Sequence, residues 1–354
     1  MTADPAPLAG EQAPEPPAPP PVQKLKSPGV QAGDPLGEAG RKVLRFHFQR
    51  MLENEAGSRL GEDIEAVHDM RVATRRMRSA FDIFGPAFKA GTVKRWLAGL
   101  RGAGRALGRV RDLDVILDKA GQYARSRPKA ERPALEPLLE LWRQEREQAR
   151  ARLLAYLDGG EYAAFRRDFE QFLHTPGAGA RRRPPALVPA DGREVKEGGY
   201  RVQEAAPLLI YAQLASLRAY EQAFGPGLEN AALADLHALR IDFKKFRYTL
   251  EFFREALGPE AKAAVETVRG LQDHLGDLND ANVAAASLQR ILAGWEKRQA
   301  GRPAPEQESP EAVSGYLAYR QAERHRLRQS FPAAWERFTR PEFRRDLALA
   351  VSAL

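Results

Sequence analysis

Val67–Phe84 reads VHDMRVATRRMRSAFDIF, and Leu236–Phe253 reads LHALRIDFKKFRYTLEFF, at a constant offset of 169 residues. On a helical wheel of about 100° per residue, Val67, Met70, Met77, Phe81 and Phe84 fall within one apolar arc. His68, Arg71, Arg75 and Arg78 form a second arc beside it, and Arg76 points elsewhere. In the second copy Leu236, Leu239, Phe243, Phe246, Leu250 and Phe253 form the apolar arc. His237, Arg240, Lys244 and Arg247 form the basic one, with Lys245 as the outlier. Both the stripe and its exception are repeated, so the two segments are copies of one amphipathic helix.

Further blocks repeat in the same order. LGRVRDLDV from Leu107 matches LGDLNDANV from Leu275, and FRRDF from Phe165 matches FRRDL from Phe343. Three ordered matches imply a tandem duplication of a helical unit. The apolar period stays near 3.6 throughout, with no alternating strand and no Asn-Gly hairpin. The expected helices run approximately over 36–56, 62–84, 88–125 and 131–174, then 203–224, 229–257, 260–299 and 311–352. Breaks are expected near Gly159-Gly160 and near Phe331-Pro332, and Gly85-Pro86 and Gly258-Pro259 are matching stops. Four helices per copy, each with one apolar stripe, predict an all-α protein of two bundles.

Residues 1–35 hold ten prolines and few large apolar groups, which predicts a disordered tail. The predicted organisation is therefore a tail over 1–35, a first repeat over 36–175, a Gly/Pro-rich linker over 176–200 and a second repeat over 201–354. A shorter break covers Gly301–Pro310.

The 354 residues carry 55 Lys+Arg against 47 Asp+Glu, a formal charge of +8, and arginine supplies 43 of the cations. Arginine forks onto phosphate where lysine acts as a point charge, so the surplus suits a polyanionic ligand. The absence of cysteine excludes disulfides, thiolate metal sites and cysteine nucleophiles. No apolar run approaches the ~20 residues of a membrane span, and no signal peptide is visible at the N-terminus. A soluble cytoplasmic protein is expected.

Like charges at i,i+3 and i,i+4 repel, so a solvated helix face usually mixes signs. Asp69, Asp82 and Asp242 are read as lying off the stripe, and only Glu251 falls on it. An external polyanion with repeating charge would neutralise both stripes. The competing reading has carboxylates of a neighbouring helix do so, with Asp112, Asp114, Asp277 and Asp280 as candidates. His68 and His237 could donate to phosphate, and if they titrate on the ligand its affinity should rise from pH 8 to pH 6. The bland alternative makes them hydrogen-bonded packing residues.

Further basic series add Arg101, Arg105 and Arg109, and Arg146 and Arg150 match Arg324 and Arg328. Arg105 and Arg109 correspond to Asp273 and Asp277, so the first half should hold an anion more tightly. The glycine repeated in LGRVRDLDV and LGDLNDANV costs a helix about 1 kcal/mol, which suggests close helix approach there. Asp112 and Asp280 are expected to orient basic stripe residues; Mg²⁺ bridging is a lesser alternative. No phosphate-binding GxxxxGK[ST] loop, HExxH or GxSxG occurs, and no metal cluster or nucleophile with its base is recognisable. No enzyme activity and no cofactor are expected.

The paired segments VHDMRVATRRMR and LHALRIDFKKFRY, with LGRVRDLDV and LGDLNDANV behind them, resemble the CHAD family, the conserved histidine α-helical domain. The resemblance covers about residues 36–352. It implies two four-helix bundles about a pseudo-twofold axis, with basic faces turned to a central groove or pore. It also implies binding of inorganic polyphosphate and association with polyphosphate granules. By motif match, His68, Arg71, Arg75, Arg76 and Arg78 would be binding residues, with His237, Arg240, Lys244, Lys245 and Arg247 their second-copy equivalents. Some family members carry a tunnel-type triphosphatase domain with an ExExK strand, where this chain has its proline-rich segment. The alternative function is a basic helical protein that binds nucleic acid through the phosphate backbone.

Overall fold

The computed structural model describes residues 25–187, 199–225, 228–299 and 310–354. The described residues form α-helices and short turns without any strand, apart from two isolated bridges, Pro35 with Arg201 and Phe88 with Ala180. The helices are α1 (Leu36–Glu53), α2 (Glu55–Leu60), α3 (Ile64–Phe84), α4 (Ala90–Ser126), α5 (Glu136–Asp158) and α6 (Gly160–His174). There follow α7 (Val202–Phe224), α8 (Leu233–Phe253), α9 (Ala261–Gln299), α10 (Glu311–Thr339) and α11 (Pro341–Ser352). No described helix is long and apolar enough to cross a membrane.

Local chemistry sets the helix ends. Asp63 caps α3 by accepting from the Glu65 amide at 2.8 Å, satisfying one of the free N–H groups of the first turn. Gly61, at a φ of 74°, closes α2 in the left-handed conformation that glycine adopts without strain. Gly159 separates α5 from α6 as expected. The corresponding break in the second half falls at Arg340-Pro341, not at Phe331-Pro332; Pro332 lies inside α10. The expected 36–56 helix is split at Asn54 into α1 and α2.

The helices pack in two groups, α1–α6 and α7–α11, with α3 against α8 and α1 against α7 between the groups. The apolar arcs fill the interior: Val67, Met70, Met77, Phe81 and Phe84 are buried, as are Leu236, Leu239, Phe243, Phe246, Leu250 and Phe253.

Residues 25–35 do not form the end of a disordered tail. Val30 is buried and donates its amide to Glu255 Oε2 at 2.9 Å, and the Val202 amide donates to Asp34 O at 2.9 Å. This short stretch is held because it satisfies backbone groups at the start of α7. The expected tail over residues 1–24, the core of the linker over 188–198 and the break over 301–309 lie outside the described residues.

Candidate functional site

Asp63 fixes the start of α3, and its apolar arc anchors the helix against α1 and α4. Arg71, Arg75 and Arg78 are then set beside the core. On α8 the same register sets Arg240 and Lys244. These five cations lie close enough for their fields to act on one another across the two helix groups. Burial and the charges of Arg75, Arg240, Arg78 and Arg71 push the Lys244 ammonium down to about 8. Burial also lowers the proton affinity of Arg71; Asp112 opposes this, while Arg75, Arg111 and Arg240 add to it.

Neighbouring carboxylates cancel only part of this charge. Arg71 Nη2 donates to the exposed Asp112 Oδ1 at a long 3.4 Å. Arg75, Arg78, Arg240 and Lys244 have no ion pair among the described residues, and Arg75 Nε is buried without a hydrogen-bond partner. Of the other candidate neutralisers, Asp114 is committed to Arg146, while Asp277 and Asp280 pair with no stripe residue among those described. Asp82, read from sequence as off the stripe, belongs to it. Partial burial raises its carboxyl against the pull of Lys245, Arg78, Arg101 and Lys244. Eleven residues after Arg71 bring the helix back to nearly the same angle.

Two glycines of α4 face the stripe. A Cβ on Gly104 would stand 3.7 Å from Arg78 Nη1, and one on Gly108 would stand 3.6 Å from Arg71 Nε. Gly108 therefore faces a guanidinium side chain, and a Cβ on its counterpart Gly276 would meet nothing within 4 Å. Neither supports the expected close helix contact. Arg111, missed in the sequence, shares this glycine face at the i,i+4,i+7 spacing of residues 104, 108 and 111. It pairs with Glu65 at 3.3 Å and its charge reaches His68 and Arg71.

Several predicted binding residues hold structural posts instead. Arg76 pairs with Glu251 at 2.7 Å, with 24% and 11% of the side chains exposed, and Arg247 lies 3.7 Å from the same carboxylate. Both guanidiniums lie over the buried Tyr248 ring, at 5.1 and 5.3 Å, so this cluster fastens α3 to α8. Arg146 pairs with the buried Asp114 at 2.6 Å, and its counterpart Arg324 donates to Asn282 at 3.1 Å. Arg150 donates to the carbonyls of Arg59 and Leu60, at 2.8 and 2.7 Å. Its counterpart Arg328 donates to those of Glu229 and Ala231, at 3.2 and 3.1 Å. Arg109 is held by Glu145 at 2.5 Å. Arg101, Arg105 and Lys245 are exposed and have no ion pair among the described residues.

His68 is partly buried on the α3 stripe, and burial, then Arg111, lowers its proton affinity, which Glu65 and Asp69 partly restore and Arg75 lowers further. His237 is exposed, with Nδ1 2.9 Å from Asn279 Oδ1. Asn279 was not anticipated, although it sits in the repeated LGDLNDANV block. Asp280 contacts Asn279 at 3.4 Å and no stripe residue, contrary to expectation. No group of three or more metal-ligating side chains exists among the described residues.

The sequence model of the CHAD domain matches residues 42–289. The fold is similar to the crystal structure of the CHAD domain from the plant Ricinus communis. There the TM-score is 0.64 and the identity 24%, over 90% of this chain and 96% of that one. It is also similar to PptA from Streptomyces chartreusis, with a TM-score of 0.58 and 18% identity, over 86% of this chain and 100% of that one. No curated protein sequence matches the chain.

Proposed function

The chain belongs to the CHAD family, and on that premise we propose that it binds inorganic polyphosphate between α3 and α8 without catalysing its turnover. One observation carries this reading: Arg71, Arg75, Arg78, Arg240 and Lys244 share one electrostatic field that Asp112 and Asp82 offset only in part. Holding such cations together is costly in the absence of a ligand. A chain with a regular series of negative charges relieves the repulsion, and release of its counterions adds a favourable, salt-dependent term. Arginine supplies forked hydrogen bonds to phosphate oxygens, and His68 and His237 flank the site as further donors. Association with polyphosphate granules follows from the same affinity.

The test is a competition titration at fixed salt, with long-chain polyphosphate set against DNA, RNA and pyrophosphate. A strong preference for polyphosphate is expected. Equal binding of all polymers, with one steep salt dependence, would make the surface a general phosphate-backbone binder. Reversing charge at Arg71, Arg75 and Arg78 should abolish polyphosphate binding while circular dichroism shows unchanged helicity. Retained affinity in that variant removes the groove from the reading.

A further inference from the structure

A second group of cations lies at the N-terminal end of α4. There the segment after α6 is pinned to the α3–α4 turn. The Lys89 amide donates to Gly179 O at 2.8 Å, the Arg181 amide to Ala87 O at 2.9 Å, and Arg181 Nε to Phe88 O at 2.7 Å. From the other side the buried Arg41 donates to Phe172 O at 2.5 Å and Ala178 O at 2.7 Å. Gly177 and Gly179, both at a φ of 70°, supply the left-handed turns that let the segment fold back. The result is a loop whose backbone is fixed and whose side chains open a cleft of about 650 Å³. Its lining is Lys89, Gly177, Ala180 and Arg181–Arg183, so every charged group in it is a cation. Lys89, Arg182 and Arg183 have no ion pair among the described residues.

α4 starts at this cleft and faces the stripe further along, at Gly104 and Gly108. Arg101 stands one turn before Gly104, whose Cβ position lies 3.7 Å from Arg78 Nη1, and its charge acts on Asp82 together with Arg78 and Lys245, so it borders the stripe. Lys94 precedes Arg101 by seven residues, hence on the same helix face and about 10 Å away; Lys89 lies some 8 Å beyond at the helix start, turned about 140° around the axis toward the loop. Lys94 is exposed, and Arg95 beside it is occupied by Asp168 at 2.7 Å.

We propose that the polyphosphate path leaves the groove along Arg101 and Lys94 and ends in the Lys89, Arg182 and Arg183 cleft, giving the protein a preference for long chains. This rests on the polyphosphate reading above: the groove holds any chain, and the cleft engages only one long enough to extend beyond it. Unneutralised cations on a backbone held in place have no use for a short anion already bound in the groove.

The experiment compares tripolyphosphate with long-chain polyphosphate on the full chain carrying Arg182→Ala and Arg183→Ala. Long-chain affinity should drop about tenfold, and the slope of log affinity against log salt should fall by about 1–2, while tripolyphosphate binding is unchanged. A control with Arg344→Ala and Arg345→Ala, exposed on α11, removes the same charge and should leave long-chain affinity intact. Wild-type long-chain affinity in the cleft variant, equal losses for both ligands, or an equal loss in the control each overturns the path. A wild-type protein that binds neither ligand overturns the groove itself, a failure separate from that of the cleft.

Discussion

Arg76 and Arg78 stand two positions apart on α3 and meet different surroundings, because Glu251 reaches Arg76 and leaves Arg78 exposed. Glu251 draws Arg76 and Arg247 into one partly buried cluster around Tyr248, where removing the anion would strand two cations. Glu251→Gln should therefore destabilise the fold by about 3 kcal/mol, read as a lower urea midpoint. An unchanged midpoint would show that solvent already screens the cluster. Asp112 is the contrasting case, since its pair with Arg71 is long and exposed. Asp112→Asn should change stability by less than about 0.5 kcal/mol and raise polyphosphate affinity, because it frees a groove cation. The sequence told Arg71, Arg75 and Arg78 apart from Arg76 by angle alone. It also placed Glu251 on the second stripe one turn after Arg247, but it could not show that Arg76, on the other helix, would share that carboxylate.

At the scale of the helix, every residue that periodicity assigned to the core of α3 and α8 is buried, because burial follows the 3.6-residue repeat, but Ala73, Ala80, Ile83, Tyr248 and Phe252 are buried beyond the predicted arcs. Periodicity was silent on what surrounds each polar position. Arg146, Arg150, Arg324 and Arg328 looked like a second basic series, yet they bind Asp114, Asn282 and the carbonyls that end α2 and its counterpart turn. Such a post depends on which helix end lies opposite, and that is decided by tertiary packing. The repeated glycine was misread for the same reason. Nothing stands within 4 Å of the position of a Cβ on Gly276, so Gly276→Ala should stabilise α9 by about 1 kcal/mol through helix propensity alone. A thermal midpoint that rises confirms open space there, whereas one that falls restores the close-approach explanation.

The whole molecule creates one property that neither repeat has alone, the mutual field of α3 and α8 across the groove. Lys244 registers it, displaced from its ordinary 10.5 to about 8 by burial and by Arg75, Arg240, Arg78 and Arg71. Between those values the unfolded chain binds a proton that the folded chain lacks, so the unliganded protein gains stability as pH rises from about 8 toward 10. Below pH 8 the charged Lys244 strains the groove, and a polyanion relieves that strain. Polyphosphate affinity should therefore weaken as pH rises through 8 to 10, with proton uptake on binding near pH 9. Calorimetry in buffers of different ionisation enthalpy measures that uptake. At His68 burial and Arg111 lower the proton affinity of the unliganded protein, so the rise in affinity expected toward pH 6 depends on the polyanion restoring that proton. Lys244→Arg keeps the charge at every accessible pH, so the variant should bind polyphosphate with a flat profile between pH 8 and 10. If the wild-type profile is already flat there, Lys244 does not face the ligand and the α8 side of the groove is assigned wrongly.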